Sequence, residues 1–420
     1  MTTVAEAASD DRQIRKGTPA YRHTSLAMFL GGFSTFWLLY WPQPLLPHFA
    51  RDFQLSPAAS SAVLSTAMAA LALALIPASF LADRYGRKVL MQPAMLLAAL
   101  LTVLAAFVPD YQTLLLLRVL TGIALAGLPA TAMAYLGEEI EPRALGSAMG
   151  LYIAGTALGG MSGRLCTALL VDIASWPWAA AVVGGVGLLA GVVFCRVLPS
   201  SRHFRQRPLP LSAHGRQALG RAVLGIVRDP GLPWLFAIGF LLLGCFVSLY
   251  NYIGFRLELP PFALGSSATG GIFLLYLLGT VASAWSGRLA RRLGAAVALA
   301  GMLALMLAGL LLTLAQSLVW VVMGIALFTF AFFGGHAMAS AWVGQRGGQA
   351  RALAAALYLS SYYLGASTIG TLSGVFWVHR HWPGVVAALA LALIAALLAV
   401  WRLFRLPAPR QLPAGISPSV

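Results

Sequence analysis

The sequence predicts an all-α membrane protein with twelve transmembrane helices arranged as two similar six-helix bundles. Composition is the first reason: of 420 residues, 60% are hydrophobic and only 10% are charged, whereas a soluble domain carries about 25% charged residues. The second reason is spacing, because the charges cluster between long uncharged runs. The third is a repeat, since short motifs recur 206 to 208 residues later in the chain.

The uncharged runs have the length that a membrane demands. A bilayer core about 30 Å thick needs roughly 20 apolar residues in a helix. Cut at that length, the runs give twelve segments, namely 24–46, 58–82, 89–109, 111–135, 144–168, 176–198, 231–253, 267–289, 294–315, 318–341, 352–376 and 383–404. The boundary near residue 316 is drawn inside an uncharged run that is too long for one helix.

Basic residues in the loops predict the orientation. The N-terminus, the even-numbered loops and the C-terminus carry 23 of the 28 Lys and Arg, against Arg51, Arg256 and Arg380 on the other side. Basic loops stay in the cytoplasm, so we expect both termini there. The N-terminal residues are too charged to form the apolar core of a signal peptide.

The longest connection divides the twelve segments into six and six. We expect five regions: a tail 1–23, a bundle 24–198, a linker 199–230, a bundle 231–404 and a tail 405–420. In the linker, residues 216–229 place apolar side chains at helical spacing opposite arginines, which predicts an amphipathic helix on anionic headgroups. A solvated basic linker is the alternative.

The two bundles share short motifs at nearly one offset. Residues 79–86 read SFLADRYG and residues 287–294 read GRLARRLG, an offset of 208. Trp176-Pro177 recurs as Trp382-Pro383, and Leu158-Gly159 recurs as Leu364-Gly365, at an offset of 206. Duplication of a six-helix unit explains these matches, and two such bundles enclose a midplane cavity with alternating access.

These motifs resemble those of the major facilitator superfamily, in particular its bacterial drug:proton antiporters and arabinose-efflux-like exporters, over nearly the whole chain. The strongest match is the loop 79–88, SFLADRYGRK, with Ser79 in place of the family's first Gly. Residues 118–122, RVLTG, and 155–160, GTALGG, are similar to two further family motifs, with Thr121 and Thr156 replacing the expected Gln and Pro. The resemblance implies a bacterial inner-membrane location.

The charged loop predicts a gate on the cytoplasmic side. Gly86 permits a sharp turn, and the basic residues of the loop anchor it in the cytoplasm. The resemblance implies that Asp83 closes this side by facing a helix N-terminus of the other half; pairing of Asp83 with a neighbouring basic residue is the alternative. The candidate gate comprises Asp83, Arg84, Gly86, Arg87, Lys88 and Glu138, the last of which we expect to pair with Arg84 or Arg87.

Two charges lie within the predicted spans, where charge is expensive and often functional. The resemblance places Arg118 in the cavity, where it would act on protons or substrate; a structural hydrogen bond to helix backbone is the alternative. Arg164 either lines the pathway or extends to the outer surface near Asp172. No Asp or Glu lies in the middle of a span, which disfavours a cationic drug and favours an anionic or neutral polar substrate.

Uncharged polar groups complete the candidate pathway. Four polar residues in the predicted spans need hydrogen-bond partners if they are buried. We predict that they line the cavity: Tyr40, Gln43, Asn251 and Tyr362. We interpret His336 as a structural histidine. Gly155, Gly159 and Gly160 belong to a series of glycines that lets helices approach closely, so we expect a hinge or packing role for them.

The combined prediction is a proton-coupled secondary transporter that exports a small organic solute. Uptake of a small organic anion by symport is one alternative. A membrane-embedded enzyme is another, although the sequence contains no HExxH, no paired carboxylates in a span and no P-loop. We predict no cofactor and no metal site. The expected partners are a small-molecule substrate, protons and the lipid bilayer, without nucleic acid, for a monomer.

Overall fold

The computed structural model describes residues 13–206 and 213–406, and the described residues are almost entirely helical. The predicted tails 1–23 and 405–420 and the linker 199–230 therefore lie partly outside the described residues. Ten of the described helices are long and apolar enough to cross a membrane. One of them, Gly348–Phe404, contains two spans, and the less apolar helix Pro19–Tyr40 precedes all ten, which gives twelve spans in total.

We number the spans 1 to 12 in chain order. Span 1 is Pro19–Tyr40, span 2 Pro57–Tyr85, span 3 Arg87–Leu104, span 4 Tyr111–Leu125 with Pro129–Glu139, span 5 Pro142–Ile173, span 6 Trp176–Val197, span 7 Leu232–Glu258, span 8 Ser266–Gly270 with Gly271–Leu275 and Tyr276–Leu293, span 9 Ala295–Leu312 and span 10 Leu318–Arg346. Arg351–Phe404 supplies spans 11 and 12, which are separated by non-helical backbone at Arg380 and His381.

The twelve predicted segments match these spans, with a correction at span 1. Its helix ends at Tyr40 rather than residue 46, and a short helix, Leu46–Asp52, follows. Pro42 has no N–H to donate to the carbonyl of Leu38, so an α-helix cannot continue through this point unchanged. The helix Ala213–Arg228 occupies half of the predicted linker.

The repeat appears in backbone geometry as well as in sequence. Gly86 joins spans 2 and 3 with φ of 110°, and Gly294 joins spans 8 and 9 with φ of 83°. Both values lie in the left-handed region, which glycine adopts without a steric penalty. The two halves therefore make the same turn at equivalent positions.

Close helix packing repeats in the same way. A Cβ on Gly159 of span 5 would lie 2.0 Å from the carbonyl oxygen of Phe33 in span 1, and a Cβ on Gly365 of span 11 would lie 1.9 Å from that of Phe240 in span 7. Gly155 makes the same kind of approach, at 2.3 Å from the carbonyl oxygen of Phe29. Spans 1 and 5, and likewise 7 and 11, thus pack backbone against backbone.

We refer to the two ends of the bundle by their loops. The basic face carries the turns at Gly86, Ile140 and Gly294, together with residues 198–206. The opposite face carries the helix Leu46–Asp52, the ends of spans 5 and 7, and the break at Arg380.

Substitution of Gly159 tests the packing. We expect Gly159→Ala to lower the free energy of unfolding by about 1–3 kcal/mol, since overpacking forces helices apart. Thermal unfolding of the purified protein in detergent measures this effect. Gly150→Ala is the control, because a Cβ on Gly150 in the same helix would meet nothing within 4 Å. Equal unfolding temperatures for the two variants would contradict the packing argument.

Candidate functional site

Arg118 caps the end of span 1. It is 1% exposed, and its Nη1 and Nη2 donate to the carbonyls of Leu38 and Leu39, at 3.1 and 2.6 Å. Its Nε donates to the carbonyl of Val63 in span 2, at 3.0 Å. Because Pro42 frees these carbonyls from the helical pattern, the guanidinium supplies donors that the backbone lacks. The predicted cavity-facing orientation is therefore not observed, and the backbone-bonding alternative describes this structure.

Arg164 lies between the two halves. It is 2% exposed, and its Nη1 donates to the carbonyl of Gly160, at 2.6 Å, while its Nε donates to Oε1 of Gln43, at 2.5 Å. Nε2 of Gln43 then donates to Oδ1 of Asn251 in span 7, at 2.7 Å. The alternative that Arg164 extends to the outer surface is wrong, because the side chain is buried and directed into the bundle.

The hydrogen bond between Gln43 and Asn251 joins the two halves. Nδ2 of Asn251 also contacts the carbonyl of Gly370 in span 11, at 3.4 Å, so the network reaches spans 1, 5, 7 and 11.

Aromatic rings surround the Arg164 guanidinium. Its central carbon lies 3.7 Å from the ring centroid of Tyr40, 4.8 Å from Tyr276 and 5.4 Å from Phe273. Tyr40 belongs to the first half, and the other two rings belong to span 8 in the second half. The structure thus brings the predicted residues Tyr40, Gln43, Arg164 and Asn251 together, and adds Phe273 and Tyr276, which the sequence did not single out.

Tyr362 belongs to a neighbouring stack rather than to the Arg164 network. Its ring centroid lies 4.4 Å from that of His336 in span 10. Nδ1 of His336 and the hydroxyl of Tyr358 lie 3.0 Å apart. His336 therefore has a hydrogen-bond partner, as expected of a structural histidine.

A second polar cluster joins the halves at the opposite face. Arg51 pairs with Glu258 of span 7, at 2.8 Å, and Nε2 of His48 lies 3.0 Å from the hydroxyl of Ser266 in span 8. The backbone N–H of Ser267 donates to the carboxylate of Asp172, at 2.7 Å. The N-terminus of span 8 thus receives a carboxylate from span 5, which the helix dipole favours.

At the basic face, the ion pairs stay within the first half or reach only the linker. Asp83 pairs with Arg87 at 2.5 Å, and Arg87 pairs with Glu138 at 2.9 Å. Glu139 pairs with His203 of the linker region, at 3.0 Å. The predicted contact of Asp83 with a helix N-terminus of the other half is not formed here; the local-pairing alternative is what the structure shows.

The remaining gate residues hold the first half together. Nζ of Lys88 donates to the carbonyl of Leu198, at 2.6 Å, whereas Arg84 is exposed. Glu138 pairs with Arg87 and not with Arg84. The carboxylate at a helix N-terminus, expected at the basic face, occurs at the opposite face, where Asp172 meets span 8.

The sequence contained one signal for two of these contacts. Gln43 and Asn251 are 208 residues apart, and Arg51 and Glu258 are 207 apart. A search for polar residues separated by about the repeat offset would have found both pairs. His48, Asp172 and Ser266 have no such regularity. Only the packing of span 5 against span 8 brings Asp172 to the second half.

Fold and site together define a membrane transport protein made of two six-helix halves that meet at a polar interface. A family model described as Major Facilitator Superfamily matches residues 28–346, and the chain belongs to this superfamily. It is 45% identical over 384 residues to an uncharacterized MFS-type transporter, YybF, of Bacillus subtilis, covering 91% of this chain and 94% of that one.

Two further comparisons agree with this assignment. The chain is 43% identical over 417 residues to the inner membrane transport protein YnfM of Escherichia coli, covering 96% of this chain and 98% of that one. The crystal structure of the nucleoside transporter NupG shares the fold, with a TM-score of 0.72 at 15% identity over 91% of this chain and 100% of that one. The protein is a multi-pass membrane transporter and not an enzyme.

The capping role of Arg118 predicts a loss of stability on substitution. Lysine carries one compact charge and cannot reproduce a planar guanidinium that reaches three carbonyls on two helices. We expect Arg118→Lys to lower the free energy of unfolding by about 2–3 kcal/mol. Thermal unfolding in detergent measures this, and a variant that is as stable as the parent but deficient in transport would assign Arg118 to the pathway instead.

The contact between Asp172 and span 8 predicts a shift of conformation. We expect Asp172→Asn to weaken closure at the opposite face, because a neutral amide interacts less with the helix N-terminus. A cysteine replacing buried Ser65 in span 2, in a background lacking the native cysteines, should then react at least several-fold faster with an impermeant thiol reagent applied to that face.

Asp110→Asn is the matched control for this experiment. Asp110 also accepts a backbone N–H at a helix N-terminus, from Thr113 in its own span at 2.8 Å, and the structure gives it no contact with the second half. Equal labelling rates in the two variants would show that Asp172 does not hold the halves together.

Proposed function

We propose that this chain exports a small organic solute across the bacterial inner membrane in exchange for protons, by alternating access between its two halves. The observation that carries the proposal is the uneven interface. Toward the opposite face, hydrogen bonds and an ion pair join the halves. A further hydrogen bond, from Oγ of Ser360 to the carbonyl of Ala72, joins spans 11 and 2, while the described ion pairs of the basic face do not cross between the halves.

The orientation of the chain in the membrane relates this asymmetry to a step of transport. The basic loops are expected in the cytoplasm, so the opposite face is the outer one. A transporter whose halves are joined at the outer face, and are not joined by ion pairs at the cytoplasmic face, can admit solute from the cytoplasm. Rocking of the halves about the midplane would then break the outer contacts and release the solute.

The outer cluster offers a group through which protons can act. His48 is titratable, and its Nε2 contacts the hydroxyl of Ser266 in the second half, at 3.0 Å. Protonation of His48 places a second positive charge beside Arg51, which disfavours the closed outer face. Protons arriving from outside therefore favour the outward-open state, which couples proton entry to solute exit.

Transport measurements test this function directly. The purified chain in proteoliposomes is assayed for counterflow with a panel of sugars, organic anions and antimicrobials, with and without a pH gradient. We expect exchange of at least one solute, driven against its gradient by protons moving the other way. Movement of solute in the same direction as protons would establish symport and contradict export; flux that ignores the gradient would contradict proton coupling.

The environment of His48 predicts how acid affects the outer closure. Burial lowers the pKa of His48 below its usual value, and the Arg51 guanidinium lowers it further, while Glu258, Asp52 and Asp172 act in the opposite direction. The open state, where His48 has its ordinary pKa of about 6.5, binds more protons. The closed state thus loses stability as pH falls below about 6.5 and gains nothing above it.

The cysteine at position 65 reports this change. A thiol reacts as its thiolate, so its labelling slows intrinsically as the external pH is lowered from 7.5 to 5.5. We expect opening of the outer face to offset part of this slowing, and the slowing to be larger in His48→Gln, which has no titrating imidazole. An equal pH response in the two proteins would remove His48 from the mechanism.

A further inference from the structure

Arg164 is a buried cation with no counter-ion among the described residues. It takes part in none of their ion pairs, and it is 2% exposed. Removing an ion from water carries a large free-energy cost. Hydrogen bonds to Gln43 and Gly160 and cation–π contacts with the three neighbouring rings offset part of this cost.

Arg118 shows what a purely structural arginine looks like in this chain. All three of its guanidinium nitrogens donate to backbone carbonyls of the same half. Arg164 instead donates to the side chain of Gln43, which is bonded to the second half, and two of its ring neighbours belong to that half. Its surroundings therefore change whenever the halves move apart.

A second group at the same place lacks a partner. The hydroxyl of Tyr276 is buried and makes no hydrogen bond among the described residues, and Tyr276 is 6% exposed. Its ring lies beside the guanidinium. Buried hydroxyls are normally satisfied, so the residue whose ring lies beside the guanidinium also carries an unused donor.

The walls next to this point are aromatic. The ring of Tyr276 packs against Tyr250 with centroids 5.1 Å apart and against Phe246 at 5.4 Å. Phe246 in turn stacks on Phe332 of span 10, at 3.7 Å. These rings all belong to the second half, so an aromatic cluster extends from the guanidinium into that half.

We propose that Arg164 and Tyr276 bind the carboxylate of an aromatic monoanion, whose ring packs among the aromatic side chains of spans 7 and 8. This proposal rests on the transport function proposed above and narrows its substrate class. Among the described residues, Arg164 forms no ion pair with a carboxylate, and the ring of Tyr276 lies beside its guanidinium. The substrate supplies the missing charge through paired N–H···O bonds, and the Tyr276 hydroxyl donates a further one.

Binding is tested on the full chain in detergent with simple probes. Benzoate carries both features, benzamide keeps the ring without the charge, and acetate keeps the charge without the ring. We expect benzoate to raise the unfolding temperature in a concentration-dependent way, with an affinity at least about tenfold higher than that of either other probe. Protection by benzamide or acetate equal to that by benzoate would overturn the proposal.

Two variants and a matched control locate the site. We expect Arg164→Gln to abolish protection by benzoate, while Arg256→Gln retains it. Arg256 is the control because its guanidinium also bonds backbone carbonyls, those of Thr313 and Ala315, and lies over two rings, but entirely within the second half. Equal protection of both variants would overturn the assignment.

Tyr276→Phe covers the case in which Arg164→Gln does not fold. It removes only the unpartnered hydroxyl, so the fold should persist, and we expect the affinity for benzoate to fall about tenfold. An unchanged affinity would overturn the role of Tyr276. Protection by benzoate without benzoate counterflow in proteoliposomes would support the binding site and contradict the transport proposal. Transport of other solutes without protection by benzoate would support the transport proposal and contradict the binding site.

Discussion

The hydrogen bond between Gln43 and Asn251 is the contact on which the rest of the interface depends. It joins Gln43 of the first half to Asn251 of the second half, at 2.7 Å, and therefore fixes where the two halves face each other. Gln43 can reach that position because span 1 stops at Tyr40, and the freed carbonyls of Leu38 and Leu39 are taken by Arg118. Without that cap, the chain would have to leave backbone acceptors unsatisfied in an apolar environment.

Close packing within each half makes this contact an effective pivot. Gly159 and Gly365 place spans 1 and 5, and spans 7 and 11, in backbone contact, which favours movement of each half as a unit. The interface between the halves is more polar. A Gln–Asn bond, an ion pair and a carboxylate at a helix N-terminus are each worth little more than about 1 kcal/mol when water can replace them. Such contacts suit a surface that must open and close.

The two faces of the protein differ in where their charged groups lead. At the basic face, Asp83, Arg87 and Glu138 bind one another within the first half. At the opposite face, Asp172 and Arg51 reach the second half. The family resemblance placed the carboxylate contact at the basic face, but Asp83 pairs with Arg87 of its own half. At the opposite face, the Asp172 carboxylate makes such a contact with the N-terminus of span 8.

The sequence alone predicted the number of helices, the positions of the loops, the duplication and the linker helix. It could do so because a bilayer imposes a helix length and excludes charge, and because glycine at residues 86 and 294 marks turns. The sequence also marked Arg118 and Arg164 as unusual. It could not assign their roles, since either arginine could bond backbone, reach the surface or line a cavity. Only the tertiary structure decided between these roles. The break at Pro42 gives Arg118 its carbonyl acceptors, and the packing of span 8 against span 5 surrounds Arg164 with aromatic rings. Hydrophobic length is a local property of the chain, whereas the partner of a buried charge depends on helices far away in sequence.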